Sequence, residues 1–412
     1  MGKTVLILGN GFDLAHSLPT RYSNFLDFCQ KVEYIWSFNW NKSDAINEFH
    51  NIHIDSWDID ESIRTAIEDA FKNRKVEKNE VTSDNNELSE IHDMLNYNIW
   101  YNYFNKLHRE NKMRGENWID FEFEIRSIIE EVDRKTSTLS DKWSSIEKKS
   151  KLFYFANQFR YCIEKRKEYD ENQFNDLSIK DVRKETYYDL ERLIRALELY
   201  LSVFVEKIEL KSKIPEIDNL NPDYVINFNY TNTYERNYKK RDIHYIHGKA
   251  DANRPIEDNN LVLGIDEYWS PDECDQHTFF TIFKKFSQRI QKHTGNSSYK
   301  YLGEIEKMYD PQKRSWSGRS NVDQSKDHPD QISNIYIFGH SLDITDKDIL
   351  SSFIGNEATS VTVYCFDKGT EGELIANTIK LIGEKTLVNK ANSVPSKFNF
   401  IIQEPAKDMT PV

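Results

Sequence analysis

The stretch 5–25, VLILGNGFDLAHSLPTRYSNF, narrows the possible folds more than any other part of the chain. Val5, Leu6, Ile7 and Leu8 form a short branched apolar run, the length of a buried strand rather than a helix. The run stops at Gly9-Asn10-Gly11, where two glycines permit positive φ and a close approach of the backbone to another group. Phe12 to His16 then reads as the first turns of a helix. Strand, glycine turn and helix start in succession make a βα unit whose exposed amides can receive a phosphate. The dinucleotide fingerprint G-x-G-x-x-G is incomplete, because Leu14 stands where the third glycine would be. A turn that binds nothing would carry the same pattern, so the stretch specifies the unit and leaves its ligand open.

Length and charge bound what surrounds this unit. The chain has 412 residues and a formal net charge of -13. That length suits about two or three domains, or one α/β domain with elaborations. The acidic balance argues against a general nucleic-acid surface, which needs Lys and Arg to neutralise phosphates. No apolar run is long enough to cross a bilayer and no basic-then-apolar leader is present, so a cytoplasmic location is expected. The four cysteines, Cys29, Cys162, Cys274 and Cys365, form no C-x-x-C pair. No metal site is therefore expected, and scattered thiols agree with a reducing compartment.

Residues 31–215 hold almost no glycine or proline and read as a helical insertion. The segments 63–71, 88–107, 121–132, 146–163 and 182–210 each carry a helical stripe. Residues 78–86 and 164–176 are charged and read as connections. Within this block, Trp118-Ile119-Asp120-Phe121-Glu122 places two carboxylates near a tryptophan. Asp120 and Glu122 are candidates for acid–base work, although acids at a helix start more often cap it and face its dipole.

Near Pro215 the pattern changes to strands alternating with helices or loops. Strands are expected at 224–226, 243–247, 261–263, 334–338 and 361–366, and a closing helix at 373–382. Residues 309–331 read as a loop. Residues 278–293 read as a helix bearing Lys284, Lys285, Arg289 and Lys292, a solvated face or a local basic patch. With residues 5–8 the expectation is an α/β, Rossmann-like parallel sheet of about six strands. Residues 1–30 and 216–412 would form it, around the insertion. Ligands of such sheets bind beyond the carboxyl ends of the strands. The residues standing there are Gly9-Asn10-Gly11, Asn227 to Thr231, His247-Gly248, Gly264, Gly339-His340-Ser341 and Asp367. Each alone is an ordinary turn former. Together they suggest one shared nucleotide site.

GNGFDLAHSLPTRYSNF, VINFNYTNTYE, YIHGK and IYIFGHSLDITD, in this order and with a helical insertion after the first, resemble the bacteriophage abortive infection AbiH family. The chain departs from it at Ser17, where the family usually has glycine. A more distant resemblance is to sirtuins and sirtuin-like NAD-hydrolysing defence domains. Their G-A-G turn and G-I-P segment are similar to Gly9-Asn10-Gly11 and Ser17-Leu18-Pro19, with Arg21 near their arginine. Their Q-N-I-D or T-N-Y-D, H-G and G-T-S-L motifs are similar to Phe228-Asn229-Tyr230-Thr231, His247-Gly248 and Gly339-His340-Ser341-Leu342.

The resemblance implies an anti-phage protein with NAD, or a related nucleotide, as substrate or ligand. Asn229 would contact the nicotinamide ribose or position a water, and His247 would act as general base or orient the ribose hydroxyls. Gly9, Gly11, Ser341 and Asp367 would hold pyrophosphate and adenosine. Asn10, Asp13, Thr20, Arg21, Tyr230, Thr231, Gly339 and His340 would complete the nucleotide site. Thr231 replaces the sirtuin aspartate, leaving Asp13 and Asp120 as candidates for the nicotinamide contact. The four-cysteine zinc module of sirtuins is absent, which points to hydrolysis rather than deacylation. A nucleotide sensor without turnover and a protein-interaction or toxin module remain as alternatives. A phage-derived trigger and a homo-oligomer are implied as partners, with neither a membrane nor nucleic acid.

Overall fold

The short apolar runs of the sequence meet in one parallel sheet. The computed structural model of the chain describes residues 2–37, 61–72, 87–136, 150–166, 178–210, 212–239, 241–270, 272–294 and 332–403. Among them are six strands: β1 Lys3–Leu8, β2 Tyr224–Asn227, β3 Asp242–Tyr245, β4 Ile332–Phe338, β5 Ser360–Cys365 and β6 Phe398–Ile402. Their order is β3-β2-β1-β4-β5-β6, and every neighbouring pair is parallel. This is the order of doubly wound dinucleotide-binding sheets, whose winding reverses between the first strand and the fourth.

The chain divides into two compact units. The first consists of Met1–Leu18, Leu210–Lys249 and Arg289–Val412 and contains the whole sheet. Its strands are apolar on both faces, as a parallel sheet covered on both sides requires. Val5, Ile7, Ile226, Ile335, Ile337, Val361 and Val363 pack with Ile349, Leu350, Phe353 and Leu374 of the helices Lys347–Ile354 and Lys368–Ile382. On the opposite face Leu6, Leu8, Val225 and Phe338 pack with Phe12, Ile217, Tyr234 and Tyr238. Those come from or adjoin the short helices Asn10–Ala15, Pro215–Asp218 and Thr233–Asn237.

The second unit consists of Pro19–Glu209 and Ala250–Gln288. Its helices are Tyr22–Ser37, Glu61–Lys72, Glu87–Leu95, Ile99–Met113, Phe121–Thr136, Lys151–Lys165 and Ile179–Leu199. Charges inside it are paired, as burial demands. Glu198, with no exposed surface, accepts from Arg195 (2.7 Å), Asn259 Nδ2 (2.6 Å) and the Asp251 amide (3.2 Å).

Three expectations for the elements need correction. Residues 261–263 form no strand; Leu261, Val262 and Leu263 are buried in the second unit outside regular secondary structure, followed by the isolated bridge Ile265↔Lys284. A run of three apolar residues satisfies burial without a ladder. The sixth strand is instead β6, FNFII, a run with four apolar residues of five that lies outside the strands expected from the sequence. The stripe 88–107 is broken at Asn96-Tyr97-Asn98: Tyr97 has a φ of 49° and the Asn98 side chain accepts from the Tyr101 amide (3.0 Å), starting a new helix. The stripe 182–210 ends its α-helix at Leu199 and widens into a π turn over Tyr200–Phe204. Residues 78–86, 167–176 and 309–331, read as connections, lie outside the described residues. Among the described residues no helix is long and apolar enough to cross a membrane.

Candidate functional site

The register aligns the strand ends. Leu8 pairs with Asn227 on one side and Phe338 on the other, and Asn227 pairs with Tyr245. The residues that follow therefore leave the sheet along one rim, next to the point where its winding reverses. Asn227 shapes the turn after β2. Its Oδ1 accepts from the Asn229 amide (3.0 Å) and its Nδ2 donates to the Thr231 carbonyl (3.3 Å). That folded loop places Asn229 Nδ2 on the Gly9 carbonyl at 3.0 Å.

The turns after β1 and β4 interlock. A Cβ at Gly9 would lie 2.5 Å from His340 Cα, one at Gly11 2.7 Å from Gly339 Cα, and one at Gly339 2.2 Å from the Phe12 nitrogen. Gly339 also has a φ of +68°, in the left-handed region. The requirement for glycine at these three positions is thus met by backbone packed on backbone. The Gly9, Gly11 and Phe12 amides donate to Phe338 O (3.1 Å), Gly339 O (2.8 Å) and Gly9 O (2.9 Å). A pyrophosphate at this rim has to find its donors elsewhere, or displace these bonds.

Beyond the turns, His247, His340 and Asp346 converge. His247 Nε2 lies 3.1 Å from Asp346 Oδ1, and His340 Nε2 lies 3.7 Å from Asp346 Oδ2. All three side chains are less than a tenth exposed. His340 Nδ1 accepts from the Leu342 amide (2.9 Å), which places the proton of the neutral ring on Nε2, toward the carboxylate. Leu342 takes a φ of +55° to deliver that amide, a conformation that costs a branched side chain energy. The Phe228 ring meets both imidazoles nearly at right angles, with centroids 4.4 Å from His340 and 5.5 Å from His247. Tyr230 lies farther out, its ring centroid 6.5 Å from that of His247.

A second buried acid lies on the same loops. Thr231 Oγ1 donates to Asp13 Oδ2 (2.6 Å), and Thr233 Oγ1 donates to Thr231 Oγ1 (3.1 Å). Asp13 is almost fully buried, and its Oδ1 has no hydrogen-bond partner among the described residues. Burial pushes its carboxyl up to about 6, against the smaller opposing pull of Thr231, Thr233 and Arg236.

The remaining candidates fall as follows. Ser341 is exposed, with its carbonyl held by Asn377 Nδ2 (3.0 Å). Asp367 caps the helix Lys368–Ile382: its Oδ1 accepts from the Thr370 amide (2.8 Å), which holds its carboxyl below the usual range. Asn10 opens the helix Asn10–Ala15. Thr20, Arg21, Asp120, Glu122 and Gly264 belong to the second unit. There Asp120 Oδ1 accepts from the Phe123 amide (3.1 Å), a capping bond. Glu122 receives the buried Lys285 (2.8 Å), Lys284 meets Glu267 (2.6 Å), and Arg289 pairs with Asp348. The basic residues of 284–289 are therefore neutralised within the protein, which corrects the basic-patch reading. Among the described residues no cluster of His, Cys, Asp and Glu is arranged to hold a metal ion.

Sequence reasoning missed Asp346. It lies in the quoted segment IYIFGHSLDITD, six residues after His340, but three acids in that neighbourhood looked alike as turn formers. A family model described as bacteriophage abortive infection AbiH matches residues 5–367. No curated protein and no solved structure matches the chain.

Proposed function

From the premise that the chain belongs to the bacteriophage abortive infection AbiH family, we propose that it acts in phage defence by hydrolysing NAD at the rim of β1, β2, β3 and β4, releasing nicotinamide and arresting the infected cell. One observation supports the reading: His247 and His340, distant in sequence, both approach Asp346 beside the winding reversal of a doubly wound sheet, and Asn229 is bonded to Gly9, which packs on His340. In the proposed reaction the bond between nicotinamide and the ribose C1′ breaks, and its electron pair leaves with nicotinamide. A water attacks the cationic ribose carbon, and its proton passes to His247. Asn229, fixed on the Gly9 carbonyl, orients that water against the ribose. The products are nicotinamide, ADP-ribose and a proton.

The test is nicotinamide release from NAD by the purified chain, and NAD content of infected cells that express it, each beside Asn229→Ala and His247→Ala. Nicotinamide release or infection-dependent NAD loss, abolished in both variants, supports the reading. NAD bound in calorimetry without turnover in either setting replaces it with the sensor reading. No binding and no NAD loss would overturn both.

A further inference from the structure

We infer that Asp346 is the positioning residue of this site, and that it fixes His247 in the tautomer whose Nδ1, not Nε2, is the basic nitrogen. The catalytic half of the inference rests on the proposed hydrolysis; the structural half does not.

The geometry comes first. Asp346 Oδ1 stands 3.1 Å from His247 Nε2, at hydrogen-bond distance, and a carboxylate can only accept. The proton of neutral His247 is therefore on Nε2, and the lone pair is on Nδ1. The second oxygen of Asp346 faces His340 Nε2 at 3.7 Å, and His340 is fixed with its own proton on Nε2 because its Nδ1 accepts from Leu342. The carboxylate thus holds the His247 ring and lies within ion-pair distance of His340, whose ring is set by Leu342, and the Phe228 ring packs against both.

An independent observation concerns what Asp346 does not do. It holds the N-cap position of the helix Lys347–Ile354, where an aspartate ordinarily accepts from a backbone amide of the first turn, yet its side chain makes no capping bond. Asp343 and Asp367, whose backbones are extended, do cap, accepting from the Thr345 amide (3.0 Å) and the Thr370 amide (2.8 Å); Asp346, where the 3-10 turn Ile344–Asp346 runs on into the helix with φ -112° and ψ 18°, does not cap its own helix. The Asp346 carboxylate is turned from the helix to the histidines. A carboxylate behind an imidazole holds the ring, selects the tautomer and stabilises the imidazolium that forms when the ring takes a proton.

The test uses the full chain with Asp346→Asn, Asp346→Ala and, as a capping control, Asp343→Asn. Long-range proton–nitrogen NMR of histidine-labelled protein reads the tautomer without any substrate. The wild type is expected to show His247 protonated at Nε2, and Asp346→Asn to lose that preference, because its amide can also donate. In the nicotinamide assay Asp346→Asn is expected to lower kcat by about 100-fold, the low end of what a positioned acid–base group contributes, with KM little changed. Asp343→Asn is expected to keep both readouts. Protonation of wild-type His247 at Nδ1, or a tautomer unchanged in Asp346→Asn, would overturn the inference. An altered tautomer with unchanged kcat would overturn its catalytic half. A wild type that releases no nicotinamide yet shows the expected tautomer shift would sink the NAD reading and leave the positioning role standing.

Discussion

Asp13 offers the sharpest thermodynamic test of the rim. Its carboxyl titrates at about 6 in the folded chain against 3.8 for the ordinary group, because burial penalises the charged form. The folded state thus binds this proton more tightly than the unfolded state. The contribution of Asp13 to stability is fully present below pH 3.8 and is lost as pH rises through about 6. The difference corresponds to about 3 kcal/mol over the whole range. Between pH 5 and 8 the linkage relation leaves somewhat less than half of that change. Asp13→Asn does not titrate. Its amide oxygen can keep the Thr231 bond, while its NH2 enters the place where Oδ1 has no partner, a cost that does not depend on pH. The offset between the proteins is therefore uninformative, and the slope decides. In urea unfolding at pH 5, 6, 7 and 8, the stability of Asp13→Asn minus that of the wild type should rise by about 1 kcal/mol across the series, with equal m-values. Thr231→Val, which removes the hydroxyl that holds the charge, should steepen the wild-type dependence. Parallel curves for Asp13→Asn and wild type would refute the argument, since they would mean the carboxyl is hydrated or paired in solution.

The Ser17→Gly change should raise the melting temperature, with about 1 kcal/mol gained, because Ser17 takes a φ of 60° and an unchanged melting point would contradict that conformation. His16→Gln should be less acid-sensitive than the wild type: burial lowers the His16 pKa, so its contribution is present above pH 6.5 and fades as pH falls below it, a trend that urea unfolding from pH 5 to 7.5 would follow. Gly339→Ala should cost more than about 2 kcal/mol, from left-handed φ and a Cβ set against the Phe12 nitrogen, whereas Gly115→Ala, with a φ of +80° and open space around it, should cost about 1 kcal/mol in the same assay.

The sequence carried the frame of this fold because its signals were local. A branched run that ends in Gly-Asn-Gly can hardly be anything but a strand feeding a turn, and the rule for doubly wound sheets then places the turn at a rim. Ser17 was readable in the same way. It completes a Schellman ending of the helix Asn10–Ala15, with Leu18 donating to Asp13 O (3.1 Å) and Ser17 to Leu14 O (2.9 Å), and that position asks for glycine. The left-handed φ there is a backbone requirement that this chain meets with a serine. What the sequence hid were the facts decided by long-range contact. The glycines of the first turn suggest a ligand's approach, but the space they clear is taken by Gly339 and His340, more than 300 positions later.

Asp346 shows why such a residue escapes pattern reading. Residue type and spacing give Asp343 and Asp346 the same standing in the sequence, although Asp343 starts the 3-10 turn and Asp346 closes it. What separates them is whether the carboxylate serves its own helix or a histidine delivered from β3, roughly 100 residues earlier. No local propensity encodes that choice. It is set by the parallel register, which brings the end of β3 to β2, β2 to β1 and β1 to β4, so that the loops of the outer and central strands share one rim. A carboxylate that meets a histidine from another strand end is thus an arrangement that exists only once the sheet is assembled.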